Sequence, residues 1–216
     1  MSAGPHAGQP LLTAGVALAE ATNVLVLLHG RGASPEGIAP LATALGAHDF
    51  AVLAPRAAGA QWYPQRFTAP RAQNEPHLSS ALSELGTLFD TVTERLPSEH
   101  VLIGGFSQGA CLAAEFVARR GARVGGLLVF SGGLIGEGPS VSAELYEGAD
   151  LGGTPVFIGC SDTDAHIPLE RVKASTRVLN ELGAAVTERI YPGIGHTITK
   201  DELEQGRGLV QRIRKR

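Results

Sequence analysis

Short apolar runs alternate with longer amphipathic segments along most of the chain. The run NVLVLLHG (23–30) is continuously apolar and ends at a glycine, which is typical of a strand buried on both faces. The segment 77–96 carries apolar residues at helical spacing, from Leu78 to Val92. The predicted strands are 23–30, 50–55, 100–107, 124–133, 154–161 and 184–193, and the predicted helices are 35–47, 77–96, 108–121, 168–183 and 200–216.

This alternation predicts an α/β fold: a doubly wound, mostly parallel sheet with helices on both faces. Residues 11–21 are a candidate for an additional N-terminal strand. We expect Ser34 to cap the helix that begins at Pro35. Repeats and low-complexity linkers are not evident, so we predict one domain over residues 1–216, with a flexible N-terminus over residues 1–10.

Composition and charge bear on whether the protein binds nucleic acid, spans a membrane or is secreted. The 216 residues are 44% hydrophobic and 18% charged, with a net charge of −3, and this balance gives no indication of nucleic-acid binding. A basic cluster lies near the C-terminus, where cations suit the dipole of a last helix; contact with an anionic surface is the alternative. No apolar run is long enough for a membrane span, and the N-terminus does not have the pattern of a secretory signal. Two cysteines do not make a disulfide framework, so we expect a cytoplasmic protein.

The motif Gly-Phe-Ser-Gln-Gly (105–109) lies between the predicted strand 100–107 and the predicted helix 108–121. This context favours a nucleophile elbow, a tight turn that holds the Ser107 hydroxyl above the sheet edge. The alternative is a serine that merely caps a helix. Cys111 as the nucleophile is a weaker hypothesis, because a cysteine one turn into a helix is more often a small buried apolar residue.

A nucleophilic serine requires a base and an acid that orients the base, both beyond the ends of later strands. His196 follows the last predicted strand in a glycine-rich loop and is the candidate base. The loop after 154–161 offers two candidate acids, Asp162 and Asp164. The backbone N–H groups of Arg31 and Gln108 are the candidate oxyanion donors.

The connection between Pro55 and Pro76 is unusually long and carries Trp62 and Tyr63, close to Phe67. Long connections in compact domains are usually functional or disordered. We expect Trp62 and Tyr63 to form a wall of the substrate-binding site, the alternative being an aromatic cluster that fixes the loop to the body. The Arg31 side chain has two interpretations as well: it extends into solvent, or it binds an anionic group of the substrate.

With these motifs the sequence resembles the phospholipase/carboxylesterase family of α/β-hydrolases, which includes acyl-protein thioesterases. The matching segments are LLHGRGAS (27–34), APR (54–56), GFSQGA (105–110), SDTDAHIP (161–168) and YPGIGHTI (191–198). The family's acid stands four residues before a proline, which selects Asp164 over Asp162. The family usually has an apolar side chain where this chain has Arg31.

The resemblance implies hydrolysis of carboxylic esters or thioesters without a cofactor, and dimers are common among such proteins. Our interpretation is a carboxylesterase that acts on a small-molecule ester through Ser107, His196 and Asp164. An acyl-protein thioesterase or lysophospholipase is the alternative within the enzymes. A hydrolase fold that binds a ligand without catalysis is the alternative from another class. We expect no metal, no nucleic acid and no membrane span, and a homodimer is compatible with the resemblance.

Overall fold

The structure is a computed structural model that describes residues 4–214. Within these residues an N-terminal strand is followed by six strands and six α-helices, which alternate over most of the chain, as the apolar pattern predicts. The strands are β1 (Leu11–Gly15), β2 (Val24–Leu28), β3 (Ala51–Pro55), β4 (Val101–Phe106), β5 (Gly126–Phe130), β6 (Pro155–Ser161) and β7 (Ala185–Tyr191). The helices are α1 (Pro35–Ile38), α2 (Pro40–Ala44), α3 (His77–Thr93), α4 (Gln108–Arg120), α5 (Leu169–Glu181) and α6 (Lys200–Arg214).

The strands form one sheet in the order β1-β3-β2-β4-β5-β6-β7. Only β1 runs antiparallel to its neighbour, with Thr13 opposite Leu53; the other pairs are parallel. The segment 11–21 therefore does supply an additional strand, limited to its first five residues. The central strands are apolar throughout because helices cover both of their faces. At the β7 edge, burial alternates along the strand.

Two apolar clusters cover the two faces of the sheet. One joins β2, β4 and β5 to α3, α4 and α5, and the other joins the same strands to α1, α2 and α6. This arrangement confirms the predicted fold class, an α/β-hydrolase fold with helices on both faces. The carboxyl ends of the parallel strands lie along one edge, where ligand sites of such sheets form.

The predicted helix 35–47 is divided into α1 and α2. Ser34 caps α1 as expected, because its side chain accepts the N–H of Gly37 at 3.3 Å. The break falls at Ala39, directly before Pro40, which has no N–H to donate within a continuing helix. The prediction of one helix was wrong at this proline.

Two arginines of the basic C-terminal cluster (Arg207, Arg212, Arg214, Lys215 and Arg216) contact the protein itself. Arg214 pairs with the Asp49 carboxylate and also donates to the carbonyl oxygen of Gly46. Arg207 donates to the carbonyl oxygen of Ala44 at 2.8 Å. Lys215 and Arg216 lie outside the described residues.

Part of the N-terminal segment 1–10, which we predict to be flexible, contacts the body through His6. His6 is 2% exposed, its N–H donates to the Ser80 hydroxyl at 3.0 Å, and its ring is hydrogen-bonded on both sides. Burial of this side chain anchors the segment to the body. Residues 1–3 lie outside the described residues. Within residues 4–214, no helix combines the length and the apolar character that crossing a membrane would require.

Candidate active site

Ser107 occupies a strained turn between β4 and α4. Its φ of 57° and ψ of −122° are unusual for a residue with a side chain, and its N–H donates to the Phe130 carbonyl oxygen at 3.0 Å. The turn is closed by Gly109, where a methyl group would collide with the backbone of Leu28 and His29 at the end of β2. A serine that merely caps a helix accepts an N–H of the first turn, and the Ser107 side chain accepts none within the described residues.

His196 is held by Asp164 from the neighbouring loop. The Nδ1 atom of His196 lies 2.6 Å from Oδ2 of Asp164, and the Asp164 side chain is fully buried. The other carboxylate oxygen accepts the N–H groups of His166 and Ile167 at 2.8 and 3.0 Å. Burial raises the pKa of the Asp164 carboxyl, but these hydrogen bonds outweigh burial and hold the pKa below its ordinary value. Asp164 therefore stays charged and fixes the imidazole ring.

Asp162, the other candidate acid, has a separate partner. Its Oδ1 accepts the N–H of Gly193 at 2.8 Å and so ties the loop after β6 to the loop that carries His196. The geometry thus places Asp164, rather than Asp162, against the imidazole.

A cavity of about 400 Å³ brings most of the predicted site residues together. Ser107, His196, Arg31, Gln108 and Tyr63 all line it. The remaining lining residues are Gly30, Ala33, Arg66, Phe67, Phe106, Cys111, His166 and Ile167. Its buried lining residues are mostly apolar, whereas Arg31 and Arg66 are exposed and define what we call its mouth.

The structure corrects the prediction that Trp62 forms a wall of the substrate-binding site, because this side chain does not line the cavity. The side chain is 1% exposed, and its indole N–H donates to the carbonyl oxygen of His29 at 2.8 Å. The alternative interpretation, an aromatic residue that fixes the loop to the body, describes Trp62. Tyr63 is equally buried but reaches the cavity wall.

The backbone N–H and the side chain of Gln108 point to different parts of the structure. Its backbone N–H is the first of α4 and has no acceptor within that helix. Its side chain turns away, accepting the N–H of Trp62 at 2.9 Å and donating to the carbonyl oxygen of Tyr63 at 2.8 Å. The residue after the serine thereby ties the long connection to the elbow.

The Arg31 side chain is held in place by the long connection. Its guanidinium donates to the side-chain oxygen of Gln61 and to the carbonyl oxygens of Pro64 and Gln65 at 2.6 to 2.8 Å. The reason is that residues 61–65 fold over the loop that begins at Gly30. Arg31 nevertheless remains exposed at the cavity mouth.

Two buried histidines fix the start of the long connection, and sequence reasoning did not assign them this task. His29 Nε2 accepts the N–H of Ala57 at 3.1 Å, so its Nδ1 carries the proton and donates to the carbonyl oxygen of Gly30. His6 has the opposite tautomer: Nδ1 accepts the N–H of Ala58, and Nε2 donates to the carbonyl oxygen of Trp62. Burial lowers the pKa of both histidines. The one feature of the sequence that indicated a structural role was the position of His29 at the end of a predicted buried strand.

A second, mostly apolar cavity of about 530 Å³ lies on the other side of His196. It shares Phe106 and His196 with the first cavity, and the two rings lie 4.7 Å apart between centroids. Its other walls come from α1, α2 and the start of α6, including Ile38, Leu41 and Leu203.

Neither cysteine has the character of a nucleophile. Burial raises the pKa of the Cys111 thiol to about 12 and that of Cys160 to about 12, so both remain protonated near neutral pH. Cys160 donates its thiol proton toward Oδ2 of Asp164 at 3.7 Å. Within residues 4–214, no group of three or more histidine, cysteine or acidic side chains is arranged to hold a metal ion.

The fold and the elbow define a class, the α/β-hydrolase fold. The sequence profile of the family described as Phospholipase/Carboxylesterase matches residues 17–211, and the chain belongs to that family. A phospholipase/carboxylesterase from Dyadobacter fermentans has a similar crystal structure, with a TM-score of 0.89 and 37% identity over 98% of this chain and 99% of that one.

Curated relatives match over shorter stretches. Acyl-protein thioesterase 1 of Gibberella zeae is 32% identical over 108 residues, which are 50% of this chain and 45% of that protein. A probable carboxylesterase, SOBER1-like, of Arabidopsis thaliana is 30% identical over 138 residues, 63% of this chain and 52% of that protein. The chain spans about half the length of the curated relatives it matches.

Proposed function

We propose that the protein is a serine hydrolase that cleaves carboxylic esters through Ser107, His196 and Asp164. The observation that carries the proposal is the 2.6 Å contact between His196 and Asp164, with His196 lining the same cavity as the strained Ser107. A nucleophile, a base and an orienting acid are the parts that acyl transfer requires. Membership of the phospholipase/carboxylesterase family agrees with this chemistry.

In the proposed first half-reaction, the Ser107 hydroxyl attacks the acyl carbonyl carbon while His196 takes its proton. The backbone N–H groups of Arg31 and Gln108 stabilise the negative charge that develops on the carbonyl oxygen. His196 then protonates the departing alkoxide, which leaves an ester between the acyl group and Ser107.

In the second half-reaction, water attacks the acyl-enzyme, with His196 again as the base, and Ser107 recovers its proton. Asp164 accepts the Nδ1–H of His196, so Nε2 is the atom available to Ser107 and to water. Because hydrogen bonds hold the pKa of Asp164 low, the carboxylate can stabilise the imidazolium without taking its proton.

An acyl-protein thioesterase or lysophospholipase is the second candidate. The observation that favours it is the apolar cavity of about 530 Å³ beside His196, which offers room for a longer apolar group than a cavity of about 400 Å³ alone. The third candidate, ligand binding without catalysis, gives no reason for a strained backbone at Ser107, which costs about 1–3 kcal/mol and persists mainly where function requires it.

Hydrolysis of 4-nitrophenyl esters from acetyl to dodecanoyl tests the proposal. We expect Ser107→Ala to abolish turnover and labelling by a fluorophosphonate probe. Ser83→Ala, on the exposed side of α3, is the matched control and should behave as the wild type. A peak at short acyl chains supports the carboxylesterase, and a peak at long chains supports the thioesterase or lysophospholipase. Absence of both turnover and labelling in the wild type favours the ligand-binding candidate.

Three further predictions stay predictions. These are one domain over residues 1–216, a cytoplasmic location and a homodimer. The single seven-stranded sheet, which draws strands from β1 to β7, supports the first of them.

A further inference from the structure

The mouth of the cavity carries positive charge without a compensating carboxylate. Arg31 and Arg66 line it and are exposed, whereas none of the described lining residues is acidic. The net charge of the whole chain is −3, so this local excess of cations does not reflect the overall composition. Asp164, the acid that holds His196, is buried and bonded to the imidazole and two N–H groups.

The two guanidinium groups make hydrogen bonds only to neutral oxygens. Arg31 is held in place by Gln61, Pro64 and Gln65, and Arg66 makes one long hydrogen bond, 3.3 Å, to the carbonyl oxygen of His166. Within residues 4–214, neither lies within 4.0 Å of a carboxylate oxygen. Five other arginines do pair with carboxylates: Arg56, Arg71, Arg119, Arg120 and Arg214.

Below this charged mouth the wall is apolar. Phe67 and Ile167 are buried, and Phe106 lines the cavity together with Ser107. A ligand that matches both parts has an apolar stem against these side chains and an anionic end among the arginines. Guanidinium groups bind carboxylates and phosphates with paired hydrogen bonds, and a concave site focuses their field on an approaching anion.

We propose that the ester cleaved at this site carries an anionic group, such as a carboxylate, that Arg66 and Arg31 bind at the cavity mouth. The inference rests on the proposed function and specifies its substrate class. Arg31 is fixed by its three hydrogen bonds and offers a preformed charge, whereas Arg66 has most of its donors free for a ligand. Hydrolysis itself still proceeds at Ser107.

Two pairs of esters, each matched in size, test the proposal. In the first pair the charge is on the acyl part: mono(4-nitrophenyl) glutarate against 4-nitrophenyl pentanoate. In the second pair the charge is on the leaving group: 4-(carboxymethyl)phenyl acetate against 4-ethylphenyl acetate. We expect kcat/KM for the anionic member of one pair to exceed that of its neutral partner by about tenfold or more at low salt. The pair that shows the preference locates the anionic group.

The preference should fall sharply in concentrated salt, because about 1 M salt shortens the screening length to about 3 Å. Arg66→Gln should reduce the ratio of the two kcat/KM values severalfold. Arg177→Gln makes the same change of charge on the exposed side of α5, outside the cavity lining, and should leave both values unchanged.

Equal kcat/KM values within both pairs would overturn the proposal, as would a preference that Arg66→Gln leaves intact. Either result leaves the esterase proposal standing, since the wild type would still hydrolyse these esters and Ser107→Ala would not. Loss of all activity against every ester tested would instead count against the proposed function itself.

Discussion

A methyl group on Gly105 would stand 2.6 Å from the carbonyl carbon of Gly109 and 2.7 Å from the carbonyl oxygen of Leu28. These distances are shorter than real Cβ contacts, so strand β4 and helix α4 approach each other too closely for any side chain. The two glycines of the Gly-Phe-Ser-Gln-Gly motif are thus a requirement of the turn that holds Ser107.

Gly105→Ala should therefore destabilise the protein. The collision is with backbone atoms, which cannot turn aside as a flexible side chain can, so we expect the free energy of unfolding to fall by about 3 kcal/mol or more. Gly86→Ala is the control, because Gly86 lies in α3 with no atom within 4 Å of the added methyl group. It should gain about 0.5–1 kcal/mol from helix propensity. Urea unfolding of both variants measures the difference, and equal stabilities would contradict the close approach.

Asp164→Asn should reduce kcat/KM by about 10⁴-fold with little change in fold, because an amide cannot hold the same imidazole tautomer or stabilise an imidazolium. Asp162→Asn is a sharp control two residues away. Its amide oxygen can still accept the N–H of Gly193, so activity should stay close to that of the wild type. Ester hydrolysis by both variants, with circular dichroism to verify folding, decides between the two carboxylates. The reverse ranking would reassign the acid.

The sequence contains enough local information to predict the fold and the elbow. Apolar runs and glycine spacing are properties of neighbouring residues, so β4, α4 and the position of Ser107 between them follow from residues 100–121. The break of the helix 35–47 was also predictable, because Pro40 alone is sufficient to cause it. In contrast, Asp162 and Asp164 differ only in the direction that their side chains take from one loop, and the residues themselves left that choice open.

The contacts that fix the long connection could not be predicted in the same way. His6 and Trp62 are 56 residues apart, and Trp62 and Gln108 are 46 apart. These hydrogen bonds have a backbone atom as one partner, and every residue has a backbone. The sequence therefore contains no complementary pair of residue types that would reveal them. The same applies to Arg31, which donates to two backbone carbonyl oxygens and one amide.

The free energy of unfolding should decrease as the pH falls below about 6.5, in part because of His29. Burial lowers the pKa of this imidazole in the folded protein below its ordinary value of 6.5. The unfolded chain therefore binds a proton at this position more readily than the folded protein does. The contribution of His29 to stability is fully present above the ordinary pKa and is lost as the pH falls below it. The slope is at most about 1.4 kcal/mol per pH unit for each such histidine. Urea unfolding at a series of pH values measures this slope.

His29→Gln removes the titrating group while keeping an oxygen that can accept the N–H of Ala57. We expect a shallower dependence on pH in this variant than in the wild type. His6→Gln should act in the same direction, since burial lowers the pKa of His6 too. Parallel pH profiles for the wild type and both variants would contradict the assignment of neutral, buried histidines at these positions.

The contribution of Glu202 to the free energy of unfolding should depend on pH in the opposite direction. One carboxylate oxygen accepts the N–H of Thr199 at 2.6 Å, but the other is buried with no hydrogen-bond partner among the described residues, and burial raises the pKa of the carboxyl. Its contribution to stability is complete below the ordinary value of 4.5 and is lost as the pH rises through the higher folded value. No basic side chain within residues 4–214 pairs with the charge that forms there.

Glu202→Gln keeps an acceptor for the Thr199 N–H and removes the titration. The variant should therefore gain stability relative to the wild type as the pH rises, by about 1 kcal/mol or more between about pH 5 and about pH 8. Glu204→Gln makes the same change of charge on the exposed side of α6 and separates this effect from that of net charge. A stability difference between Glu202→Gln and the wild type that stays constant over this range would show that the Glu202 carboxyl does not titrate differently in the folded protein.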